Sequence, residues 1–348
     1  MSIYVVIMAG GVGSRFYPMS TSSMPKQFLP LFSQKSMIRE TYERVLPLVD
    51  GGRILVSSND TFSSLLGDAL PEVSKDNLLL EPVGRNTGPA LGLCALHALQ
   101  LDPDAIVVSV HSDHFIKRES RFLNILNHGV ELAKKGRLVT LGITPEYPET
   151  GYGYIRRGRK HLDCNFEAYA VDRFVEKPNK ETAEEYLRSK QYLWNAGMFI
   201  FKAQQLLDEM KLHCPDLYDG LNGLGYSFDG GIPSQYAQLP SIAIDVAVME
   251  RSSLVSVIPC DVGWSDVGSF TSLYKLHDGD LDGNVNLNSD CSFYCIDSSS
   301  NLLRTQGSKS VALIGVSDLM IIDTDDCLLV GKLNRSQEVK DIQAMKSK

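Results

Sequence analysis

Positive charge is in short supply in this chain. Its 348 residues include 34 lysines and arginines against 42 aspartates and glutamates, giving a formal net charge of -8 and a pI near 5.4. Proteins that bind nucleic acid or an anionic membrane surface in a general way carry the opposite balance. The composition therefore predicts neither nucleic acid nor membrane as a partner. An acidic protein that handles anions must concentrate its few cations locally or recruit a metal ion.

Long apolar runs and paired cysteines are also missing. The N-terminal "MSIYVVIMAGG" has no basic residue before its apolar run, which is far too short for a signal peptide or a membrane span. Among seven cysteines only Cys291 and Cys295 are close in sequence, and no histidine pair completes a zinc pattern. These absences predict free thiols in a reducing compartment and hence a cytoplasmic protein.

Short apolar runs alternate with helical patterns along most of the chain. Such alternation is typical of a three-layer α/β sandwich with a mainly parallel sheet, whose ligands bind beyond the carboxyl ends of the strands. Strands are predicted at residues 4–8, 53–57, 78–80, 105–110, 138–143, 168–174, 196–201 and 254–259, and helices at residues 38–46, 88–100, 121–135, 180–189 and 203–214.

The pattern changes at the turn-rich stretch "DGDLDGNVNLNSD". From there the chain consists of short β runs, at residues 292–296, 301–304, 310–314, 319–323 and 327–330, until the terminal "SQEVKDIQAMKSK". We predict a catalytic domain over residues 1–277 and a small C-terminal β domain with a terminal helix over residues 278–348. The β domain offers no catalytic constellation, so a scaffold or subunit-contact role is expected for it.

A glycine-rich stretch, "IMAGGVGSRFYPMSTSSMPKQFLPL", contains the end of the first predicted strand. The dinucleotide motif needs glycine where Phe16 stands, and a P-loop needs lysine directly after its last glycine, where Ser14 and Arg15 follow Gly13. What remains is a tight turn whose N–H groups can approach a nucleotide. Arg15 and Lys26, on separate arms, suit the charges of a triphosphate.

Two separate motifs each contain one candidate carboxylate. Asp113 lies in "VVSVHSDHFI" directly after a predicted strand, and Asp266 lies in "GWSDVGS". An aspartate at a strand end is more often a turn residue, but two carboxylates with substrate phosphates can hold Mg²⁺. We assign catalysis to neither His111 nor His114. No Ser/His/Asp or Cys/His arrangement indicates a covalent nucleophile.

Four further motifs admit a structural and a functional interpretation. "EPVGRNTGPA" can begin a helix capped by Asn86 or Thr87, and "ETGYGYI" can be a hairpin or bare backbone beside a sugar ring. In "VEKP", Glu176 and Lys177 can be surface charge, and as strand neighbours they are expected to point to opposite sides. Asn195 in "WNAGMFIF" can equally be a capping residue.

Together, and in this order, these motifs resemble those of the sugar-1-phosphate nucleotidylyltransferases, most closely the guanylyl branch. The resemblance covers nearly the whole chain and includes "SIAIDVAVMERS". Phe16-Tyr17 stands where the family commonly has Leu-Trp, and "HSDH" stands where it has "PADH". The C-terminal part resembles the short, monofunctional form rather than the longer enzymes with a cupin isomerase domain. The resemblance implies a Rossmann-like, GT-A-like sandwich followed by a β-helix-like domain.

The resemblance also implies a role for individual residues. It assigns catalysis to Arg15, Lys26, Asp113 and Asp266, and Mg²⁺ binding to Asp113 and Asp266. It assigns nucleotide binding to Ala9, Gly10, Gly11, Gly13, Ser14, Arg15, Glu81, Arg85 and Asn86. It assigns sugar-phosphate binding to Gly153, Glu176, Lys177 and Asn195.

The implied reaction converts GTP and mannose 1-phosphate to GDP-mannose and pyrophosphate, in a homodimer with Mg²⁺ as cofactor. The ionised sugar phosphate attacks the α-phosphorus in line, so no general base is needed. Arg15 would hold the triphosphate, Lys26 would reach the α-phosphate and Lys177 would fix the sugar phosphate. Two alternatives stay open: a relative that uses UTP or dTTP with glucose 1-phosphate, and a non-catalytic regulatory subunit that binds a nucleotide sugar.

Overall fold

The computed structural model describes residues 1–11, 13–227, 231–288, 292–305 and 309–346. The chain folds into two compact units. The first unit comprises Met1–Gly10, Thr41–Ser112 and Ile116–Trp264. The second comprises Gly11–Glu40, Asp113–Phe115 and the described part of Ser265–Lys348. The glycine-rich segment therefore packs with the C-terminal part of the chain. The predicted domain boundary between residues 277 and 278 stays a prediction. Each unit is assembled from several separate segments of the chain, whereas the predicted boundary cuts the chain at one point.

The strands of the described residues follow in chain order. They are β1 (Ile3–Met8), β2 (Ile54–Asn59), β3 (Leu78–Glu81), β4 (Ile106–His111), β5 (Phe115–Ile116), β6 (Leu138–Ile143), β7 (Tyr154–Lys160), β8 (Tyr169–Val175), β9 (Tyr192–Lys202), β10 (Val255–Pro259), β11 (Trp264–Ser265), β12 (Val285–Asn286), β13 (Phe293–Ile296), β14 (Leu302–Arg304), β15 (Val311–Ile314), β16 (Leu319–Asp323) and β17 (Leu328–Lys332).

The α-helices of the same residues are fewer than the strands. They are α1 (Met37–Val45), α2 (Ser63–Ala69), α3 (Thr87–Leu101), α4 (Glu119–Lys134), α5 (Lys180–Ser189), α6 (Ala203–His213), α7 (Pro215–Gly223), α8 (Phe270–Lys275) and α9 (Val339–Lys346). Within these ranges no helix is both long enough and apolar enough to cross a membrane.

A nine-stranded sheet forms the centre of the first unit, in the order β3-β2-β1-β4-β9-β6-β10-β8-β7. Seven of these strands run in one direction, and β8 and β9 run in the other. The mainly parallel sheet predicted from the sequence is confirmed. Its inner strands β1, β4 and β6 are almost continuously buried, because parallel strands covered on both faces need apolar side chains on both.

Alternation along β9 shows how helices cover both faces of the sheet. Phe199 and Phe201 belong to the apolar core that α3, α6 and α7 share with the sheet. Ile200, which points to the opposite face, packs against Gly129 of α4, where a Cβ would lie 2.6 Å from its Cδ1. This arrangement is the three-layer α/β sandwich that the alternating pattern predicts.

The C-terminal strands of the second unit stack as short parallel rungs. β12, β14 and β16 pair in parallel, as do β13 and β15, while β17 is antiparallel to β16. Buried asparagines link the turns between rungs: Asn301 Nδ2 donates to Asn284 Oδ1 over 2.9 Å and to the carbonyl of Val316 over 3.2 Å. The β-helix-like domain expected from the resemblance is confirmed.

All six cysteines that the structure describes are free thiols. Cys94 and Cys260 are buried and the other four are half-buried. Cys291, one half of the pair noted in the sequence, lies outside the described residues.

Candidate functional site

The glycine-rich turn of the second unit is packed directly against the segment that carries Lys26. Gly13 has φ +61°, and a Cβ on it would lie 2.6 Å from Lys26 Cβ and 2.8 Å from the Lys26 backbone nitrogen. Gln27 Nε2 donates to the carbonyl of Gly11 over 2.8 Å, and Ser20 Oγ donates to the carbonyl of Gly13. Only glycine fits at position 13, because both the space and the left-handed backbone exclude a side chain.

The outer side of the same turn is accessible. A Cβ on Gly10 or Gly11 would meet nothing within 4 Å. Arg15 is exposed, and its guanidinium has no ion pair or side-chain hydrogen bond within the described residues. The side chain of Ser14 lies outside what the structure describes. Ala9 differs from its neighbours in the sequence: its N–H donates to Ser57 over 2.7 Å and its carbonyl accepts from Ser58 Oγ over 2.9 Å, so its backbone serves the sheet.

Lys26 is buried, with 4% of its surface exposed, and uses its three donors within the protein. Its Nζ lies 2.8 Å from Asp113 Oδ2, 2.8 Å from the carbonyl oxygen of Asp266 and 3.0 Å from the carbonyl oxygen of Val267. A buried cation is stable only when it is paired and hydrogen-bonded. One ammonium therefore joins the two aspartates that were predicted to hold a metal ion.

The backbone that carries Asp266 is strained. Val267, the next residue, is fully buried with φ +47°, a conformation that a β-branched side chain rarely adopts. The bond from Lys26 to its carbonyl and the bond from its N–H to Ser265 Oγ, over 3.0 Å, hold it there. Strained backbone of this kind is typical of functional sites, because the surrounding structure must maintain it.

Asp113 and Asp266 offer the hard oxygen donors that Mg²⁺ prefers. The Asp266 carboxylate accepts from the N–H of Gly268 over 3.2 Å, and the Asp113 side chain is about one-third exposed, at 34%. The donor set therefore fits a divalent ion that is completed by phosphate oxygens and water.

His111 has a packing role in the first unit. Its Nε2 lies 2.9 Å from the carbonyl oxygen of Gly197. Gly197 has φ +67°, and a Cβ on it would lie 2.8 Å from the same nitrogen.

Glu81, at the end of β3, is buried and its two carboxylate oxygens are already engaged. Ser57 Oγ donates to Oε1 over 3.1 Å, and the hydroxyl of Tyr236 donates to Oε2 over 2.7 Å. Burial raises the pKa of the Glu81 carboxyl above its usual value, and these hydrogen bonds partly oppose the rise. Glu81 therefore supports its neighbours from within the core rather than presenting a free carboxylate.

The loop after Glu81 leads into the N-terminus of α3. Asn86 has φ +70° and its side chain caps the helix by accepting from the N–H of Thr87 over 2.8 Å. Gly88 donates its N–H to the carbonyl of Ile242 over 2.9 Å, leaving no room for a Cβ. Within the described residues the buried Nε of Arg85 has no hydrogen-bond partner. Arg85 therefore has a side-chain donor that no group of the described residues satisfies.

The four residues predicted to bind the sugar phosphate lie together in the first unit. Asn195 donates its N–H to the carbonyl of Gly153 over 2.8 Å, and a Cβ on Gly153 would lie 2.7 Å from Glu176 Oε2. Lys177 Nζ lies 2.8 Å from Glu176 Oε1. The expectation that the Glu176 and Lys177 side chains point to opposite sides is wrong, because Lys177 has φ +47° and leaves the strand geometry.

Asp245 is a residue of this group that sequence reasoning missed. It begins a π-helical turn, Asp245–Met249, and its Oδ1 accepts from Asn195 Nδ2 over 2.8 Å. Burial and then the Glu176 charge raise the pKa of the Asp245 carboxyl to about 6. The signal was present in "SIAIDVAVMERS", where one acidic residue interrupts an apolar run, and short π-helical turns are frequent at functional sites.

Known proteins match this chain over most of its length. Residues 4–283 match a model of the nucleotidyl transferase family, and residues 294–344 match a model of the mannose-phosphate isomerase/GMP-like β-helix domain. The chain is 40% identical over 347 residues to a putative mannose-1-phosphate guanylyltransferase of Vibrio cholerae, covering 97% of this chain and 73% of that protein. It is 41% identical over 343 residues to the mannose-1-phosphate guanylyltransferase of Klebsiella pneumoniae, covering 96% and 72%.

A solved structure extends the similarity to three dimensions. The crystal structure described as mannose-1-phosphate geranyltransferase from Thermus thermophilus superposes with a TM-score of 0.90 at 32% identity. The match covers 100% of both chains.

Proposed function

Because the chain belongs to the nucleotidyl transferase family and, within it, to the mannose-1-phosphate guanylyltransferases, we propose that it makes GDP-mannose and pyrophosphate from GTP and mannose 1-phosphate. The structural observation that most supports this proposal is the buried Lys26 ammonium, bonded both to the Asp113 carboxylate and to the Asp266 carbonyl. A regulatory subunit tends to lose signature residues, whereas Arg15, Lys26, Asp113, Lys177 and Asp266 are all present.

The reaction is a direct displacement. A phosphate oxygen of mannose 1-phosphate forms a bond to the α-phosphorus of GTP, the bond from that phosphorus to the bridging β-phosphate oxygen breaks, and pyrophosphate leaves with the electron pair. The attacking oxygen is already ionised at neutral pH, so the protein has only to position the reactants and neutralise charge.

Arg15 and the open side of the glycine turn are proposed to hold the triphosphate. Arg15 is a cation with no competing partner among the described residues, and backbone N–H groups in such a turn form an anion-binding concavity. Arg85, whose buried Nε has no partner there, is proposed to contact the nucleotide, and Asn86 to shape the loop. For Ala9 and Glu81, whose polar groups are used within the core, we propose support of the site instead of ligand contact.

Asp113 and Asp266 are proposed to hold Mg²⁺, which when bound neutralises charge on the phosphates around the reacting α-phosphorus. Lys26 was expected to reach the α-phosphate, but that contact requires its Nζ to give up one of its three protein acceptors. We therefore propose that Lys26 mainly orients the two aspartates.

Glu176, Asn195 and the backbone at Gly153 are proposed to bind the sugar hydroxyls, and Lys177 the sugar's phosphate. The Lys177 ammonium is well exposed and is paired with Glu176, so an incoming dianion can compete for it. Gly153 is itself buried, and a Cβ there would lie 2.7 Å from Glu176 Oε2, so we propose that its missing side chain makes room for the Glu176 carboxylate beside Asn195.

We further propose a cytoplasmic homodimer. The free thiols of all six described cysteines support a reducing compartment. Exposed apolar residues on the parallel pair β13 and β15, namely Tyr294 at 61%, Ile296 at 59% and Ile314 at 69%, support a contact between subunits. Light scattering during size-exclusion chromatography tests the stoichiometry, and a monomer at micromolar concentration would contradict it.

A pyrophosphate-release assay tests the proposed reaction. The purified chain is supplied with GTP, ATP, UTP or dTTP, each with mannose 1-phosphate or glucose 1-phosphate, in the presence of Mg²⁺. Release is expected to be fastest with GTP and mannose 1-phosphate. Faster release with UTP or dTTP and glucose 1-phosphate would point to the other branch, and GDP-mannose binding without turnover would point to a regulatory subunit.

A further inference from the structure

The amide of Asn195 is held in one orientation by three groups of the first unit. Its Oδ1 accepts from the N–H of Gly197 over 3.1 Å and from Thr140 Oγ1 over 2.9 Å. Because a backbone N–H can only donate, the contact with Gly197 identifies the oxygen of the amide. The nitrogen, Nδ2, donates to Asp245 Oδ1 over 2.8 Å.

These three bonds leave one N–H of the Asn195 amide nitrogen without a partner among the described residues. An amide oxygen accepts two hydrogen bonds and an amide nitrogen donates two. Oδ1 accepts from Gly197, and its second neighbour is the Thr140 hydroxyl, whose single proton lies nearer to Oδ1 (2.9 Å) than to the Met198 carbonyl (3.2 Å); one of the two N–H groups of Nδ2 is taken by Asp245. Asn195 can therefore offer a ligand only a single N–H donor, directed by the bond that the other N–H makes to Asp245.

Asp245 lies between buried apolar residues and charged ones. Its neighbour Ile244 is fully buried, as is Ala247, two residues after Asp245 in the same π-helical turn. The charged groups that act on its carboxyl are Glu176 and Lys177, and Glu250 lies nearby, accepting the N–H of Glu176 over 3.2 Å. The ionised carboxylate is a stronger acceptor for the Asn195 amide than the neutral acid, because charge-assisted hydrogen bonds are roughly twice as strong as neutral ones.

We propose that Asp245 is a positioning residue for the sugar phosphate. The ionised Asp245 carboxylate orients the Asn195 amide so that its remaining N–H points at a sugar hydroxyl oxygen. This inference rests on the proposed function, since it takes mannose 1-phosphate as the ligand. It assigns to Asp245 no contact with the reacting phosphorus. A substitution of Asp245 is therefore expected to change the KM for the sugar phosphate and not the KM for GTP.

The pH dependence follows from the raised pKa. Above pH 6 the Asp245 carboxylate is ionised and holds the Asn195 amide in its orientation. As the pH falls through about 6, the Asp245 carboxyl takes up a proton and its charge-assisted hydrogen bond to Asn195 is lost. A phosphate monoester also titrates near pH 6, so a wild-type profile alone mixes the two ionisations. The ratio of wild type to an Asp245 variant at each pH removes the contribution of the substrate.

The test is steady-state kinetics of the Asp245→Asn variant, which keeps the shape of the side chain and an oxygen acceptor but removes the charge. We expect the KM for mannose 1-phosphate to rise roughly 5- to 10-fold, with kcat and the KM for GTP nearly unchanged. The ratio of the wild-type kcat/KM to the variant kcat/KM is expected to exceed one at pH 8 and to approach one at pH 5. Asp219→Asn, the same change on an exposed part of α7, is the matched control and should leave all parameters unchanged.

A double-mutant cycle distinguishes action through Asn195 from a general structural effect. In an Asn195→Ala background, Asp245→Asn should have no further effect on the KM for mannose 1-phosphate. An equal effect in both backgrounds, or a ratio that is independent of pH, would overturn the proposal. If Asp245→Asn does not fold, Thr140→Val tests the same network, because losing the hydroxyl that Asn195 Oδ1 accepts from should raise the same KM without pH dependence.

Failure of the inference and failure of the proposed function give different results. Wild-type protein without turnover of GTP and mannose 1-phosphate contradicts the function. Active wild-type protein with an unchanged KM in both Asp245→Asn and Thr140→Val contradicts only the role of Asp245.

Discussion

At the scale of single residues, the site depends on polar groups that the protein itself satisfies. Lys26 is the clearest case, because a lysine beside a glycine-rich turn indicates a phosphate ligand, whereas its ammonium is held by Asp113 and by two carbonyl oxygens. Glu81 is similar, since Tyr236 occupies one of its oxygens from 155 positions away in sequence. Sequence identifies such residues as important, but which atoms they bind depends on long-range contacts.

Replacing Lys26 by methionine should affect both stability and turnover. The change leaves the Asp113 carboxylate and two carbonyl oxygens without their shared donor, which should cost about 2–4 kcal/mol of unfolding free energy, given that Asp113 is partly solvated. Urea denaturation measures this cost, and turnover should fall at least ~100-fold as the aspartates lose their orientation.

Lys75→Met is the matched control for that experiment. Lys75 is exposed and forms no ion pair within the described residues, so its loss should change stability by less than about 0.5 kcal/mol. A Lys26→Met protein as stable and active as the Lys75→Met protein would refute the proposed role of Lys26.

At the scale of elements, the glycine turn and the Lys26 segment act as one packed piece. Replacing Gly13 by alanine should lower the free energy of unfolding by about 2 kcal/mol or more, because φ +61° is unfavourable for alanine and the new Cβ would lie 2.6 Å from Lys26 Cβ. GTP binding should weaken with it, since the turn has to move.

Gly67→Ala serves as the control for the turn. Gly67 lies in α2, and a Cβ there meets nothing within 4 Å, so alanine should stabilise the protein by up to about 1 kcal/mol. Thermal melts of the Gly13→Ala and Gly67→Ala proteins test this difference, and the Gly13→Ala protein is expected to melt at the lower temperature. Equal melting temperatures would show that position 13 tolerates a side chain.

Most elements were predictable because each carries its own local signal. The predicted strand at 138–143 coincides with β6, and that at 319–323 in the C-terminal rungs coincides with β16. Asn179 caps α5 by accepting from the N–H of Thr182 over 2.9 Å. β7, "YIRRGRK", was missed because only its first two residues are buried and the rest are charged or glycine. Its position is determined by pairing with β8 and β9, which local patterns do not encode.

The site was predictable only in part, because motifs identify residues but not their partners. Asn195 was predicted, and yet its orientation depends on Asp245, 50 positions later in the chain. The same limit applied to Glu176 and Lys177, where the left-handed conformation of one residue reverses the expected geometry.

At the scale of the whole molecule, a net charge of -8 opposes the binding of two phosphorylated substrates. Neutralisation therefore has to be local, and we propose that Arg15, Lys177 and Mg²⁺ supply it. Removing divalent ions with a chelator should lower turnover at least ~100-fold, and adding Mg²⁺ should restore it. Full turnover in the chelator would refute a metal site at Asp113 and Asp266.

Transfer of label from GTP tests the central claim most directly. The protein is incubated with mannose 1-phosphate and GTP labelled at the α-phosphorus, and the products are separated. Attack at that phosphorus predicts that all transferred label appears in GDP-mannose, with none in pyrophosphate and none bound to the protein. Label in pyrophosphate, or a labelled protein that forms before GDP-mannose, would contradict direct guanylyl transfer.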